Sequence, residues 1–143
     1  MPAGPSVMGF VYFAAVKAAG YTAASVVLKN GYGLRESPRP NVCGVGLART
    51  GIGIGAGAIY GGLWYFVLSK FVGEQSTAIL YYLFLLPLRL AEWSFLIWLF
   101  FDRGLHDRTR LWKFAAFGTI ASYVLDAVGV GAAFVLPGGM WIC

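Results

Sequence analysis

The chain has 143 residues, of which 59% are hydrophobic and 12% are charged, and its mean hydropathy is +0.71. Soluble domains carry roughly 25% charged residues, so this composition excludes an ordinary soluble fold. The formal charge of +5 does not indicate nucleic-acid binding. The basic residues lie mostly in short connections between apolar segments, where they set orientation and contact anionic lipid head groups.

Four apolar segments are long enough to cross a bilayer, which takes about 20 residues. In chain order they are Ser6–Leu28, Thr50–Ser69, Ser76–Phe101 and Phe114–Leu136, and we expect the helices at about 6–28, 45–69, 76–101 and 114–136. We therefore predict an all-α integral membrane protein that consists of one four-transmembrane-helix bundle, 1–143, with no separate soluble domain.

The first segment carries Lys17 near its midpoint, one helical turn before Tyr21. A charged residue at the bilayer centre costs about 2.5–3.5 kcal/mol on insertion scales. We therefore expect the Lys17 side chain to face the interior of the bundle and to have an acidic partner there.

The second segment is rich in glycine. On a helix, Gly51, Gly55 and Gly62 fall on one side together with Ala58, whereas Gly53 and Gly57 fall on nearly the opposite side. Small residues at this spacing let membrane helices approach closely. We predict that these five glycines pack against neighbouring helices. A hinge, or a gap that a lipid or ion passes, is the functional alternative.

The third segment contains Pro87, Arg89 and Glu92. The two charged residues are three positions apart, so they lie on adjoining parts of one helical face and can pair with each other. Tyr82 lies two turns before Arg89 on the same side. A proline inside a helix also predicts a kink.

The fourth segment places Ser122, Tyr123 and Asp126 on one polar face with Thr119. We expect Asp126 to pair with Lys17 and the polar faces to meet at one level of the bundle. The candidate substrate or ion site therefore consists of Lys17, Arg89, Glu92, Asp126, Tyr82, Ser122 and Tyr123. A purely structural role, in which the charges only hold the helices together, is the competing interpretation.

Basic residues in the connections predict the orientation. The first connection holds Lys29, Arg35, Arg39 and, at its far end, Arg49; the third holds Arg103, Arg108, Arg110 and Lys113. Because basic loops stay in the cytoplasm, both termini face outward, in a membrane that we expect to be a bacterial inner (plasma) membrane. The four basic residues of the third connection are also predicted to bind lipid head groups. Asp102, His106 and Asp107 in the same loop are of the types that bind metals, but the arginines around them would repel a cation. We therefore expect a solvated loop that binds head groups, and no metal or cofactor is predicted.

Three functions remain open from the sequence. The protein can be a transport or permeation component, in which the charged centre binds an anion, a proton or a zwitterion. It can be a membrane subunit whose glycine-rich helix docks onto copies of itself or onto a larger complex. It can also be a membrane-embedded enzyme that acts on a lipid or another hydrophobic substrate, with Glu92 or Asp126 as the acid/base. We favour the first two together, as a homo-oligomer or part of a larger complex.

Overall fold

Four long α-helices make up most of the computed structural model, which describes residues 7–66 and 74–132. Within these ranges, it describes all side chains except those of residues 74–79, 82, 130 and 132. The helices are α1 (Val7–Gly31), α2 (Val42–Phe66), α3 (Glu74–Phe100) and α4 (Arg108–Ala132), and the regular structure of the described ranges is entirely helical. All four helices are long and apolar enough to cross a membrane, by length and composition. The predicted all-α class is therefore confirmed.

Two helices begin earlier than the sequence analysis expected, because each has a side chain that caps it. Asn41 Oδ1 accepts a hydrogen bond from the Cys43 backbone N–H at 3.1 Å and starts α2. Asp107 Oδ1 accepts one from the Arg110 backbone N–H at 2.9 Å and starts α4. Arg49 therefore lies two turns inside α2, and the expectation that it ends the first connection is wrong.

The end of α1 has the hydrogen bonds of a Schellman motif. Gly33 has a φ of 71°, the left-handed conformation that glycine adopts without strain. The Leu34 N–H donates to Lys29 O at 3.0 Å, and the Gly33 N–H donates to Asn30 O at 3.0 Å. These bonds pair helix-end carbonyls that would otherwise lack a partner, so the helix ends sharply here.

The helices form a four-membered ring in which each contacts the two beside it: α1 contacts α2 and α4, and α3 contacts α4 and α2. Neighbours are antiparallel. Arg49 in the first half of α2 pairs with Glu92 late in α3, whereas Tyr60 late in α2 donates from its hydroxyl to Tyr81 O early in α3, at 2.8 Å. The second and third helices are therefore antiparallel neighbours.

The distribution of polar and apolar side chains is the reverse of that in a soluble protein. Large apolar side chains point outward along all four helices, among them Ile59, Phe66 and Ile120, each more than 60% exposed. Five charged side chains inside the described helices are buried instead. An apolar core built around Tyr21, Leu28, Trp93 and Ile97 fills the half of the bundle where α1 and α3 end.

The glycines that the helices use for close contact are mostly not the predicted ones. A Cβ atom at Gly46 would lie 2.8 Å from the Thr22 backbone nitrogen on α1, and one at Gly118 would collide with the Trp93 indole. Close approach of the helices requires glycine at both positions.

The stripe Gly51, Gly55 and Gly62, by contrast, faces open space, with no heavy atom of the described chain within 4 Å of a built Cβ. Within the described part of this chain, the stripe therefore has no close neighbour. Contact with another chain stays a prediction.

Candidate functional site

Five charged side chains are buried inside the bundle, and they form a continuous series of opposite charges. These buried charged groups of the described chain are Lys17, Arg49, Arg89, Glu92 and Asp126, and none exposes more than 7% of its surface. Each of α1, α2 and α4 supplies one, and α3 supplies two. We call these five residues the charge network.

Asp126 joins two of the cations. Its Oδ1 lies 2.6 Å from Lys17 Nζ on α1, and its Oδ2 lies 3.0 Å from Arg89 Nη2 on α3. The predicted pair of Lys17 with Asp126 is confirmed. One carboxylate on α4 therefore links three helices.

Glu92 carries the other end of the network. Its Oε2 lies 2.6 Å from Arg49 Nη2 on α2 but 4.0 Å from Arg89 Nη1 on its own helix. The expectation that Arg89 and Glu92 satisfy each other therefore needs correction. The 3.0 Å contact of Arg89 with Asp126 is shorter, and Arg49 is the close partner of Glu92.

Arg49 is the member of the network that the sequence analysis missed. It stands just before the long apolar run that begins at Thr50. A charged residue in that position is predicted to lie at the edge of the membrane. The signal that would have corrected this is Asn41, a helix-capping residue followed by Val42. A helix that starts there carries Arg49 inward, where its side chain is completely buried.

Aromatic rings and a hydroxyl group hold the Arg49 guanidinium. Its central carbon lies 4.9 Å from the ring centroid of Tyr21 and 5.2 Å from that of Trp93, at distances where a cation is attracted to an aromatic face. Ser122 Oγ accepts hydrogen bonds from Trp93 Nε1 at 3.0 Å and from Arg49 Nη2 at 3.4 Å, and donates to Gly118 O at 3.0 Å. The hydroxyl of Ser122 thus links the two side chains.

Gly53 makes room for this guanidinium on the α2 side. A Cβ atom at position 53 would lie 3.0 Å from Arg49 Nη1 and 4.0 Å from Arg89 Nη1. A larger side chain would therefore press on both arginines of the network. Gly51, Gly55 and Gly62 have no described atom within 4 Å of a built Cβ, so Gly53 differs from them in facing the network.

The charge network extends along the bundle axis, whereas the sequence analysis expected one level. α2 and α4 both begin at the same end of the bundle. Arg49 Nη2 reaches Ser122 Oγ at 3.4 Å, and Asp126 lies one helical turn after Ser122 on α4, a rise of about 6 Å. The order from that end is Arg49, Glu92, Arg89, then Asp126 with Lys17, so cations and anions alternate along the bundle axis.

The remaining predicted site residues divide into three cases. Ser122 is fully buried in the network, as described. Tyr123 is half-buried on the same helix. The side chain of Tyr82 lies outside the described residues. Whether these residues form a substrate or ion site stays a prediction.

The predicted head-group residues lie at the end where α2 and α4 begin. We call this the basic end: Lys29, Arg35, Arg39, Arg103, Arg108, Arg110 and Lys113. All four predicted head-group residues, Arg103, Arg108, Arg110 and Lys113, are exposed there.

The connection between α3 and α4 at the basic end is held by local hydrogen bonds. Asp102 Oδ1 lies 3.0 Å from His106 Nδ1, and Asp102 Oδ2 accepts from the His106 backbone N–H at 3.0 Å. The bond to the His106 ring is the main reason that the pKa of Asp102 lies below its usual value. Nearby, partial burial and then the Asp102 charge raise the pKa of Tyr32.

The charge network is not neutral. Three cations face two carboxylates, so one positive charge has no matching anion among the described buried residues. Arg49 Nε and Nη1 are buried and have no hydrogen-bond acceptor in the described part of the chain. An uncompensated buried charge costs several kcal/mol. An acceptor of opposite charge at this position would remove that cost and satisfy the guanidinium.

Comparisons with models of protein families, with curated proteins and with solved structures find no match to this chain, so its function has to be argued from the charge network itself.

Proposed function

We propose that the protein is an integral membrane protein that crosses the bilayer four times, with the basic end in the cytoplasm and both termini outside. Large apolar side chains face outward along its helices and five charged side chains are buried between them, the distribution that a hydrocarbon solvent favours. The basic end supports the orientation, because Lys and Arg are retained on the cytoplasmic side. The bacterial inner membrane is the location we expect.

Within that membrane, we assign the protein the role of a transport or permeation component for a small anion. The observation that carries this proposal is the imbalance of the charge network, in which three cations face two carboxylates inside the bundle. The unsatisfied N–H groups of Arg49 give an anion two hydrogen-bond donors. Charge-assisted hydrogen bonds from a guanidinium are the interaction by which proteins usually hold carboxylate or phosphate.

A path for protons through the same side chains is less well supported. Arg89 stands between Glu92 and Asp126, and a guanidinium keeps its proton at every physiological pH. A proton could not pass from one carboxylate to the other through Arg89.

The enzyme alternative, with Glu92 or Asp126 as the acid/base, is also less well supported. Each carboxylate already has a cation within 2.6 Å. A general base must reach the proton that it removes, whereas both carboxylates are already occupied by cations inside the bundle.

A second candidate function is that of a membrane subunit, alone as a homo-oligomer or within a larger complex. The observation that favours it is the outward-facing stripe Gly51, Gly55 and Gly62, which leaves open space along one side of α2. Stripes of this kind let two membrane helices approach closely. A single four-helix bundle is also too narrow to enclose a wide channel of its own. Permeation along an interface between copies of the chain is therefore compatible with both functions.

The test of the anion proposal is flux into vesicles that contain only the purified protein. Uptake of chloride, nitrate and phosphate would be measured against protein-free vesicles, with the membrane potential clamped. We expect flux of at least one of these anions, and we expect Arg49→Gln to reduce it at least tenfold, since each 1.4 kcal/mol of lost binding is about a factor of ten.

Two variants separate a folding defect from a lost site. Arg49→Lys keeps the charge near Glu92 but lacks the guanidinium fork, so it should fold and still conduct poorly. Arg35→Gln removes an exposed charge at the basic end and should conduct normally. No flux above protein-free vesicles, or equal flux in Arg49→Gln, would contradict the proposal.

A further inference from the structure

A groove runs along the seam between α1 and α4 on the outer surface of the bundle. Its upper part, at the basic end, has a volume of about 440 Å³ and is lined by residues that include Thr109, Arg110 and Lys113. Its lower part, about 380 Å³, is lined by residues that include Gly20, Ala23 and Ala121. Val27 on α1 and Phe117 on α4 line both parts, so the two parts adjoin along the seam.

The chemistry of the groove changes along its length. The upper part offers a hydroxyl, a guanidinium and an ammonium group. Every residue of the lower part is apolar: glycine and alanine residues form its floor, and Phe117, Ile120 and Val124 are among the residues that form its walls. The groove therefore has a polar, cationic end and an apolar remainder.

The charge at the upper end favours an anion. Asp107 is the one acidic residue of the upper lining, and its carboxylate is already engaged as the cap of α4 by the Arg110 backbone N–H. Arg110 Nε lies 3.7 Å from the same carboxylate. Lys113 has no ion pair in the described part of the chain, so its ammonium group can serve an external anion.

The dimensions match one lipid of a single leaflet. From Phe117 to Leu125 the lower part spans about 12 Å of α4, at 1.5 Å per residue. Half of a hydrocarbon core of about 30 Å is about 15 Å. The polar end lies at the basic end, where the phosphate groups of the cytoplasmic leaflet would stand if the helices cross the membrane as proposed.

We infer that the α1–α4 groove is a binding site for one anionic phospholipid of the cytoplasmic leaflet, with its head group at Lys113 and Arg110 and an acyl chain along the apolar floor. This inference rests on the membrane insertion proposed above but not on anion transport. The lipid fills a gap between two helices and covers apolar surface, and Lys113 selects its charge.

The test counts lipids retained by the purified protein in mild detergent. Native mass spectrometry would be done after addition of phosphatidylglycerol or phosphatidylcholine with identical acyl chains. We expect the wild type to retain one phosphatidylglycerol in preference to phosphatidylcholine. Lys113→Gln should lower phosphatidylglycerol retention about fivefold, which corresponds to about 1 kcal/mol per basic residue near a membrane surface, and leave phosphatidylcholine unchanged.

Two alanine variants test the apolar part. Ala23→Leu places a larger side chain in the groove from an exposed position and should lower retention of both lipids. Ala15→Leu, exposed on the same helix but outside the groove lining, should have no effect. Arg35→Gln is the matched control for Lys113→Gln, since it removes one exposed charge at the basic end.

Three results would overturn the inference: equal retention in Lys113→Gln and Arg35→Gln, no effect of Ala23→Leu, or a lipid-free dimer in which a second copy covers the seam. Lipid retention is measured without any flux. Failure of the transport proposal therefore leaves the lipid result intact, and failure of the lipid inference leaves the flux result intact.

Discussion

Asp126 is the side chain on which the charge network depends most, because it has two cationic neighbours. Its two carboxylate oxygens are within 3.0 Å of Lys17 and Arg89, which lie on different helices. Loss of this one carboxylate would remove the short ion pairs of both cations and leave Arg89 only its 4.0 Å contact with Glu92. Loss of Lys17 would still leave Asp126 paired with Arg89.

We therefore predict that Asp126→Leu destabilises the protein by about 3–5 kcal/mol, the cost of breaking a buried ion pair, and that Lys17→Met destabilises it less. The double variant should be more stable than Asp126→Leu alone, since it also removes Lys17, the buried cation whose 2.6 Å ion pair is lost with the carboxylate. The measurement is the midpoint of unfolding in detergent, by heat or by titration with a denaturing detergent. Strictly additive losses would show that Lys17 and Asp126 do not interact.

Within α2, the two faces of glycines have different roles. Gly53 faces the network and leaves space for Arg49 Nη1, whereas Gly55 faces outward with no described neighbour within 4 Å. The helix therefore presents one glycine face to its own bundle and another to its surroundings.

We predict that Gly53→Leu prevents folding of the single chain, because the leucine side chain would displace the Arg49 guanidinium from Glu92. Gly55→Leu should leave the thermal stability of the monomer unchanged and should reduce its assembly with other chains. The measurements are thermal unfolding and particle size in detergent. Ile59→Leu, on an exposed position, is the control. Equal behaviour of Gly53→Leu and Gly55→Leu would contradict this division of faces.

In the connection between α3 and α4, the hydrogen bond from His106 lowers the pKa of Asp102. A lowered folded-state pKa means that this contact stabilises the connection fully above the ordinary pKa of aspartate. The stabilisation is lost as the pH falls through the lowered value. Lowering the pH through this value therefore destabilises the connection between α3 and α4.

We predict that the Asp102 carboxyl carbon titrates below an ordinary aspartate in NMR spectra of the detergent-solubilised protein. His106→Ala should move the midpoint upward, toward the ordinary value, because the ring no longer donates to the carboxylate. An unchanged midpoint in His106→Ala would mean that another group causes the shift.

The molecule as a whole has an apolar exterior, a charged interior and one basic end. If this arrangement sits in a membrane as proposed, the basic end determines which side each cysteine occupies. Cys43 is exposed in the first turn of α2, at that end. Cys143 lies outside the described residues.

We predict that a membrane-impermeant thiol reagent applied to intact cells labels Cys143 and leaves Cys43 unlabelled, because the basic connections are retained in the cytoplasm. Permeabilised cells, in which Cys43 should also react, are the control. Labelling of Cys43 but not Cys143 in intact cells would reverse the orientation.

The sequence alone was sufficient to predict the four helices and one ion pair of the charge network, Lys17 with Asp126. Apolar segments of about 20 residues indicate membrane-spanning helices whatever their partners. The cost of a lone charge predicts that Lys17 and Asp126 meet, because an unpaired charge at that depth is costly in any arrangement of the helices. Arg49 was missed because it stands between the basic first connection and the apolar run that begins at Thr50, whereas the cap at Asn41 starts α2 two turns before it.

Only the tertiary structure decided which cation faces which carboxylate. Spacing along the sequence can predict only pairs on the same helix, and it predicted that Arg89 pairs with Glu92, three positions away. The actual partners lie on different helices, so they depend on how far each helix is shifted along the bundle axis and how it is rotated. Close contacts at Gly46 with Thr22 and at Gly118 with Trp93 set that shift. Such contacts form between residues far apart in the chain, and no local pattern in the sequence encodes their register.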